Sequence, residues 1–472
     1  MAGKRWNRFT SLLFPAAAVL LLAFLFRLDN PSSANQALLD IRPLSLAGYQ
    51  RLLVLAPHSD DETLGSAGLM LAAQRQGMDV RVVIETNGDG SLSATMNDFR
   101  RIFPRPADFV RMGNMRQQES LAALELLGVP AEHVYFLSYP DRGTTSLWTT
   151  HWSATNPYVS RYSGDMRSPY PITYNPNSVY AGEDLLADLR SIIDDYRPDL
   201  VIFPSPNDVH PDHWGLSAFT RLALALEQND HPDYQPTSLA YLVHRPDFPE
   251  PKGLHPTERL QPPEAVYKDT KGDWATFELS QADIAKKQMA ILSYRSQLPL
   301  LRNLLESFVR QNELFQRVQP VLLPRLAAGD LRNPDTWRGT NGQPLVPVQG
   351  DPVRDFFLRN AIPAADLVAL YATQTPDNGL EICAQLRGTA EGTLIYTLHW
   401  MAISPQGIVQ HIASNHELQP GWKRLELAGN YACASFDHTE LGDAWLLFLG
   451  ANVRELGTGI LDQVAWQAVT IP

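Results

Sequence analysis

The feature that most constrains the fold is a short apolar run followed at once by a cluster of polar residues. Residues 51–56 are largely apolar without helical periodicity, which is typical of a buried strand. Pro57 ends the run, and His58-Ser-Asp-Asp-Glu62 follows it. Apolar residues between positions 64 and 71 then recur at roughly helical spacing. The polar cluster therefore lies where a strand passes into a helix, and in open α/β sheets ligands bind at that edge.

A second cluster of the same kind lies far along the chain. The run Leu200–Phe203 is rich in β-forming residues, and the loop after it carries His210, Asp212 and His213. Two strand ends in one sheet can bring both clusters together. In the first cluster His58 lies three residues from an aspartate, so both side chains can turn towards one point. Three nitrogen or oxygen ligands with an open fourth position are typical of a catalytic zinc site.

Both clusters resemble motifs of the N-acetylglucosaminyl-phosphatidylinositol de-N-acetylase family, also called PIG-L or LmbE-like. That family has a strand followed by A-H-P-D-D-E and, later, H-P-D-H. Here the corresponding segments read Ala-Pro-His-Ser-Asp-Asp-Glu and His-Pro-Asp-His. A proline precedes His58 and Ser59 replaces the usual proline, but neither departure removes a ligand or the base. Further matches follow in family order: Thr86–Gly90, Arg116–Glu119, Lys287 and Tyr294–Gln297.

The resemblance implies a hydrolase that removes an N-acetyl group from an amino sugar of a glycan or glycoconjugate. It implies that His58, Asp61 and His213 hold one zinc ion per chain, with another divalent transition metal as an alternative. Two other functions remain open. One is an amidase that acts on a lipid or another acyl amide. The other is a surface protein that binds glycans through its C-terminal region.

The resemblance also implies roles for the polar residues beside the ligands. Asp60 acts as the general base for water. Protonated His210 stabilises the tetrahedral oxyanion, and Asp212 orients and charges His210. Glu62 supports the site from the start of the following helix.

Three further residues are candidates for binding the substrate because they follow predicted strands. Asp89 lies in the turn after the strand predicted at 79–85, where an ordinary turn aspartate is the other interpretation. His244 and Arg245 directly follow the strand predicted at Ser238–Val243. Their place at the end of a strand predicts that they reach the substrate.

The chain of 472 residues is too long for one ordinary domain. Residues 49–330 are predicted to form a Rossmann-like, mostly parallel α/β sheet with flanking helices, in which 91–113 are irregular and 299–317 helical. An aromatic insertion at 139–181 is predicted either to form a lid or wall over the active-site face or to pack on its own aromatic rings. Short apolar runs separated by turn residues predict a jelly-roll-like β-sandwich at 336–472, for which carbohydrate binding is one hypothesis.

The N-terminus predicts a membrane anchor. Within residues 1–30, three basic residues precede an apolar segment at 9–26 that is just long enough to span a bilayer. The positive-inside rule then places the catalytic domain outside the cytoplasm, in the periplasm or the extracellular space. A cleaved signal peptide with secretion is the alternative. Residues 31–48 are predicted to be a linker.

Charge and cysteine content limit the remaining possibilities. The formal net charge of -12 argues against nucleic acid as the main partner. Cys383 and Cys433 are the two cysteines of the sequence, so a cysteine-rich zinc site is excluded. They either pair in an oxidising compartment or remain buried thiols.

Overall fold

A computed structural model describes residues 41–269, 273–351, 362–416, 420–456 and 459–472. The predicted N-terminal anchor and the first part of the predicted linker lie outside these ranges. Within them, no helix combines the length and the apolar character needed to cross a membrane.

A mostly parallel sheet of eight strands forms the centre of the first part of the chain, as the sequence predicted. The strands are β1 (Ile41–Pro43), β2 (Arg51–Ala56), β3 (Asp79–Thr86), β4 (Val134–Tyr139), β5 (Leu200–Pro204), β6 (Thr237–Tyr241), β7 (Trp274–Glu278) and β8 (Asn312–Arg317). Their order is β1-β7-β8-β6-β5-β2-β3-β4. Every neighbouring pair is parallel except the two that involve β8, which runs antiparallel to β6 and β7.

Helices cover both faces of this sheet. They are α1 (Asp61–Arg75), α2 (Leu92–Phe99), α3 (Pro106–Leu126), α4 (Thr144–Thr149), α5 (Gly182–Tyr196), α6 (Pro211–Asp230), α7 (Glu264–Asp269), α8 (Gln281–Ile291) and α9 (Leu298–Glu306). The position of strand β2 between two layers of helices explains why its sequence is almost continuously apolar. Leu52 and Val54 belong to the apolar core on one face, whereas Leu53 and Leu55 belong to the core on the other. Alternate side chains of a strand point to opposite faces, so a strand covered on both sides needs apolar residues throughout.

The structure differs from three predictions in the α/β part of the chain. Strand β1 pairs with β7 inside the segment predicted as a linker. Helices α2 and α3 occupy much of the segment predicted as irregular. Pro106 suits the first turn of α3, and Asp108 accepts the backbone N–H of Arg105 at 2.8 Å, which caps that turn. The helix predicted at 299–317 ends at Glu306, because the buried residues Leu314 and Phe315 lie in strand β8.

The C-terminal part consists mainly of β-strands, as predicted. One sheet has the order β12-β13-β14-β19-β18 and another has β17-β16-β15-β20-β21-β9; β10 pairs with β11. The strands are β9 (Val321–Leu322), β10 (Leu326–Ala328), β11 (Arg338–Gly339), β12 (Gln349–Gly350), β13 (Leu367–Gln374), β14 (Leu380–Leu386), β15 (Leu394–Ser404), β16 (Gly407–Ser414), β17 (Lys423–Arg424), β18 (Glu426–Ala428), β19 (Tyr431–Phe436), β20 (Leu446–Glu455) and β21 (Ile460–Thr470). A short helix, α10 (His438–Leu441), precedes β20.

The two larger C-terminal sheets share one apolar core. It includes Leu370 and Ile382 from the first sheet and Leu398 and Leu447 from the second. The sheets begin before the predicted boundary at 336, because β9 pairs with β21. Cys383 and Cys433 lie opposite each other on β14 and β19 and form a disulfide.

An aromatic contact joins the α/β part to the C-terminal sheets. Trp148 of α4 packs edge-on against Phe219 of α6, Phe448 of β20 and Trp466 of β21, with ring centroids 4.9, 5.2 and 5.8 Å apart. Gln410 of β16 donates a hydrogen bond to the carbonyl oxygen of Trp148 at 2.6 Å. The part of the aromatic insertion around Trp148 therefore has a packing role. Trp466 is only 4% exposed, so it does not offer a platform for a sugar ring.

Candidate metal centre at the sheet edge

The two histidine clusters meet at the carboxyl ends of β2 and β5, which are adjacent parallel strands. Asp61 begins helix α1, and one of its carboxylate oxygens lies 3.1 Å from Nδ1 of His58. The same oxygen lies 3.1 Å from Nε2 of His213, in the first turn of helix α6. The three residues predicted as metal ligands thus converge on one point.

His244 joins this group from a third strand end. Its Nε2 atom lies 3.5 Å from the second carboxylate oxygen of Asp61. Potential ligand atoms of His58, Asp61, His213 and His244 all lie within 4.8 Å of one another. The sequence assigned His244 to the substrate, whereas the structure places it with the candidate ligands.

The hydrogen bonding of these atoms fits a metal ion. Oδ1 of Asp61 and both ring nitrogens of His213 are buried, and no contact of ordinary hydrogen-bond geometry reaches them in the described part of the chain; their neighbours are the ionisable groups of His244, Asp61 and Asp208. Leaving such a polar atom unsatisfied costs about 1–3 kcal/mol. Ligand atoms bound at about 2.0–2.2 Å to one tetrahedral ion lie roughly 3.4 Å apart. Two or three imidazoles and one carboxylate at these separations form a donor set that zinc accepts.

The electrostatic environment also favours a cation. Buried carboxyl groups crowd this sheet edge; they belong to Asp60, Asp61, Glu62, Glu85, Asp89, Asp141, Asp208 and Asp212. Burial opposes charge on His213, but Asp208 and Asp61 outweigh it and raise its pKa to about 10. The negative potential that holds a proton on this ring also attracts a divalent ion.

Asp60 pairs with Arg116 and is not one of the grouped ligand atoms. Its carboxylate lies 3.1 Å from Nη2 of Arg116, and its backbone N–H donates to Glu62 at 3.1 Å. The backbone of Asp60 has φ 117°, which is unusual for a residue with a side chain and turns its neighbour Asp61 towards the histidines. Burial raises the pKa of Asp60 to about 6 despite the opposing charge of Arg116.

His210 and Asp212 do not interact as the sequence predicted. The Asp212 carboxylate lies 3.2 Å from Nε2 of His58 and accepts the backbone N–H groups of Arg142 at 2.6 Å and Thr144 at 3.3 Å. The backbone N–H of Asp212 donates to Nδ1 of His210 at 3.3 Å. An accepting Nδ1 leaves His210 as a neutral ring with its proton on Nε2. Burial, followed by the nearby His58, lowers the pKa of His210 well below its usual value.

The predicted substrate residues Asp89 and Arg245 have partners of their own. Asp89 accepts a 2.7 Å hydrogen bond from Tyr170, and burial raises its pKa to about 7. Arg245 pairs with Asp247 at 2.9 Å and donates to the carbonyl oxygen of Asn207 at 3.1 Å. Neither residue belongs to the group of ligand atoms around Asp61.

The sequence of residues 53–224 matches the family model described as PIG-L: GlcNAc-PI de-N-acetylase. Residues 53–224 form a PIG-L family domain. The match confirms the resemblance read from the histidine motifs. It includes the candidate ligands from the first two strand ends and stops before His244.

Relatives of the PIG-L domain include a 1D-myo-inositol 2-acetamido-2-deoxy-alpha-D-glucopyranoside deacetylase from Mycobacterium sp. (strain KMS). It is 32% identical over 195 residues, which are 41% of this chain and 56% of that protein. The chain thus spans little more than half the length of this curated relative. Two solved structures are also similar. The N,N'-diacetylchitobiose deacetylase from Pyrococcus horikoshii is 18% identical, with a TM-score of 0.35 over 66% of this chain and 94% of that one. GalB, the 4-carboxy-2-hydroxymuconate hydratase from Pseudomonas putida KT2440, is 18% identical, with a TM-score of 0.37 over 59% and 100%.

Asp208 is a residue of the PIG-L domain that the sequence analysis missed. Its carboxylate lies 3.1 Å from Nδ1 of His213 and accepts the backbone N–H groups of Val243 and His244 at 3.0 and 2.9 Å. Asp208 therefore holds the position of His213 and of the strand end that carries His244. Asp208 lies two residues before His210 in the same motif, and that position is the sequence signal from which its role could have been predicted.

Motif residues far along the chain support helix α1. Tyr294 donates a short hydrogen bond to Glu62, which also accepts from Thr63 at 3.1 Å. Burial raises the pKa of Glu62 to about 7. Lys287 donates to the carbonyl oxygen of Leu64 at 2.7 Å. These contacts fix the start of the helix that presents Asp61.

Proposed function

We propose that this chain is a zinc-dependent N-deacetylase that hydrolyses the acetamide of an amino sugar. The observation that carries the proposal is the convergence of His58, Asp61 and His213 inside a PIG-L domain. The similarity to the curated acetamido-glucopyranoside deacetylase supports an N-acetylated sugar as the substrate.

The residues around the centre suit hydrolysis of an amide. A bound zinc ion would polarise the acetyl carbonyl and lower the pKa of water. Asp60 lies beside the ligands without being one, so it can take the proton of the attacking water and pass it to the leaving amine. Neutral His210 can donate its Nε2 proton to the oxyanion. Asp212 holds the ring of His58 and, through its backbone N–H, the ring of His210.

We place this reaction outside the cytoplasm, with the N-terminal segment at 1–30 as an anchor. The basic and apolar pattern of that segment supports the placement. The disulfide between Cys383 and Cys433 supports it as well, because disulfides persist in oxidising compartments. A phosphatase reporter fused after Asn30 is expected to be active in a bacterial host. A reporter that works only in the cytoplasm would reverse this placement.

The test of the activity measures release of acetate and of a free amine by the full-length chain. N-Acetylglucosamine conjugates are compared with longer acyl amides on the same amines, with added zinc and with a chelator. We expect acetate release from the acetylated sugar that stops with the chelator and returns with zinc. Asp60→Asn serves as the matched inactive protein, because added zinc is not expected to restore its activity. Preference for the longer acyl chains would reject the amino-sugar assignment in favour of a different amidase.

A further inference from the structure

Large apolar side chains are exposed in the loop that follows helix α2. Helix α2 begins just after Gly90, whose backbone N–H donates to Asp141 at 2.7 Å, and Asp141 lies 3.8 Å from His58. In the loop that follows this helix, Ile102 is 74% exposed and Phe103 is 86% exposed. Burying such a side chain is worth about 1.5–3 kcal/mol, so two adjacent ones left in water are unfavourable unless something covers them.

The apolar surface extends onto a neighbouring helix. Leu92 at the start of α2 is exposed, and so are Leu300 and Leu301 on helix α9, which contacts α2. Buried residues Leu305 and Glu306 end that helix on its inner side. Two contacting helices and the loop that follows one of them thus carry five exposed apolar side chains. We call Leu92, Ile102, Phe103, Leu300 and Leu301 the rim patch.

The charge beside the rim patch is positive, although the whole chain is acidic. Residues 92–106 contain three arginines and one aspartate, which give a local charge of +2 against -12 for the chain. Arg101 forms an ion pair with Asp108 at 3.3 Å. Arg100 and Arg105 are exposed, and neither has a carboxylate within ion-pair distance in the described part of the chain. The loop thus presents two adjacent apolar side chains flanked by unpaired guanidinium groups.

We propose that the rim patch docks on an anionic lipid bilayer. Ile102 and Phe103 enter the interface between headgroups and acyl chains, and Arg100 and Arg105 bind lipid phosphates. Apolar side chains next to arginines are the composition that binds such an interface, and each basic residue near an anionic membrane contributes about 1 kcal/mol. The local charge of +2 favours an anionic bilayer over a symmetric pairing of two copies, which would bring the same arginines face to face. This docking does not rest on the proposed reaction.

The experiment needs a local signal, because the apolar segment at 9–26 could bind vesicles by itself. Both native cysteines are joined in the disulfide, so a single introduced cysteine takes up a thiol-reactive fluorophore alone. Ala107→Cys places the fluorophore at an exposed position beside the loop. Gln406→Cys places it in an exposed turn between β15 and β16 as the matched control. The full-length labelled chains are mixed with vesicles of phosphatidylcholine, or of equal parts phosphatidylcholine and phosphatidylglycerol.

We expect a blue shift of the emission at position 107 on the anionic vesicles, a smaller one on phosphatidylcholine, and none at position 406. The pair Ile102→Ser and Phe103→Ser should abolish the shift, and Arg100→Gln with Arg105→Gln should abolish the preference for anionic lipid. All four positions are exposed, so these variants are expected to fold. No shift at position 107 on anionic vesicles would overturn the proposal, and so would equal shifts on both vesicle types. A shift without vesicles that grows with protein concentration would identify a second copy as the partner instead.

Discussion

Buried acidic groups are arranged differently in the two parts of the molecule. In the C-terminal sheets, Glu381 accepts hydrogen bonds from Arg332 and Ser435, and Asp366 pairs with Arg387. At the edge of the α/β sheet, eight buried carboxyl groups surround a cluster of histidines, and Arg116 compensates Asp60. Each of these two C-terminal acids faces an arginine, whereas the acids at the sheet edge outnumber the arginines beside them, which favours the binding of a further cation.

This difference indicates that the sheet edge is built for a ligand at the expense of local stability. Functional sites commonly violate the rules that the rest of a fold obeys. Variants at the edge should therefore change activity or metal binding with little loss of stability. Variants in the C-terminal sheets or at their contact with α4 should do the opposite.

The largest expected effect is that of Asp60→Asn on turnover. Removing the proton acceptor should lower the rate of deacetylation by roughly two to four orders of magnitude. The variant should keep its metal and its thermal stability, because Asp60 is not among the grouped ligand atoms. Rate assays and elemental analysis measure both.

Asp61→Asn is the control for that experiment. It should bind zinc weakly and recover activity as zinc is added, whereas Asp60→Asn should not respond to zinc. Parental rates in both variants would place the chemistry elsewhere, and loss of the metal from Asp60→Asn alone would exchange the two roles.

The next largest effect is expected for Trp466→Ala, which should lower stability and not turnover. Its ring packs against Trp148 between the two parts of the chain, and truncating a buried tryptophan costs about 3–5 kcal/mol. We expect the free energy of unfolding in urea to fall by that amount, with turnover per folded molecule unchanged. Trp422→Ala, at a half-buried position, is the control and should cost less. A variant of Trp466 that unfolds like the parent would show that the contact is not required.

Asp208→Asn should weaken metal binding by about 10- to 100-fold. The carboxylate holds His213 from behind, so its loss leaves the ligand in place but poorly oriented. Competition with a chromogenic chelator measures the affinity, and excess zinc should restore the rate. Asp195→Asn, on the exposed face of helix α5, is the control. Unchanged affinity together with a reduced rate would give Asp208 a role in the chemistry instead.

The smallest effect is a change in the pH dependence of stability in Glu381→Gln. Burial raises the pKa of Glu381 from 4.5 to about 7, although Ser435 and Arg332 oppose this. The folded chain thus holds this proton more tightly than the unfolded chain. Its contribution is present below pH 4.5 and is lost as the pH rises through 7. Glutamine cannot lose that proton, so Glu381→Gln should gain stability relative to the parent as the pH rises from 4.5 to 8.

Denaturant titrations of Glu381→Gln and the parent across this range test the prediction. Glu391→Gln, at an exposed position in the same region, is the matched control and should follow the parent. A constant difference between Glu381→Gln and the parent at every pH would show that Glu381 does not titrate in this range.

The parts of the fold that sequence predicted well are those fixed by local pattern. The apolar run of β2 and the motif that begins α1 are contiguous, and so are β5 and the motif that begins α6. The insertion of β8 between β6 and β7 was missed, because strand order depends on packing between distant segments. His244 was given another role for the same reason. Only the pairing of β6 with β5 brings its ring within 4.7 Å of His213.

The tryptophan contact between α4 and β21 also bears on how this protein can be divided. The domain boundary predicted near residue 330 suggests that the hydrolase domain could be expressed without the C-terminal sheets or fused to another domain. Without those sheets, Trp148 would lose the rings of Phe448 and Trp466 and be left partly exposed to water. Arg221, buried beneath them, would lose the carbonyl oxygen of Trp466 to which it donates. The two parts therefore cannot be separated without exposing this apolar surface. Any domain that replaces the C-terminal sheets must supply apolar side chains that cover it.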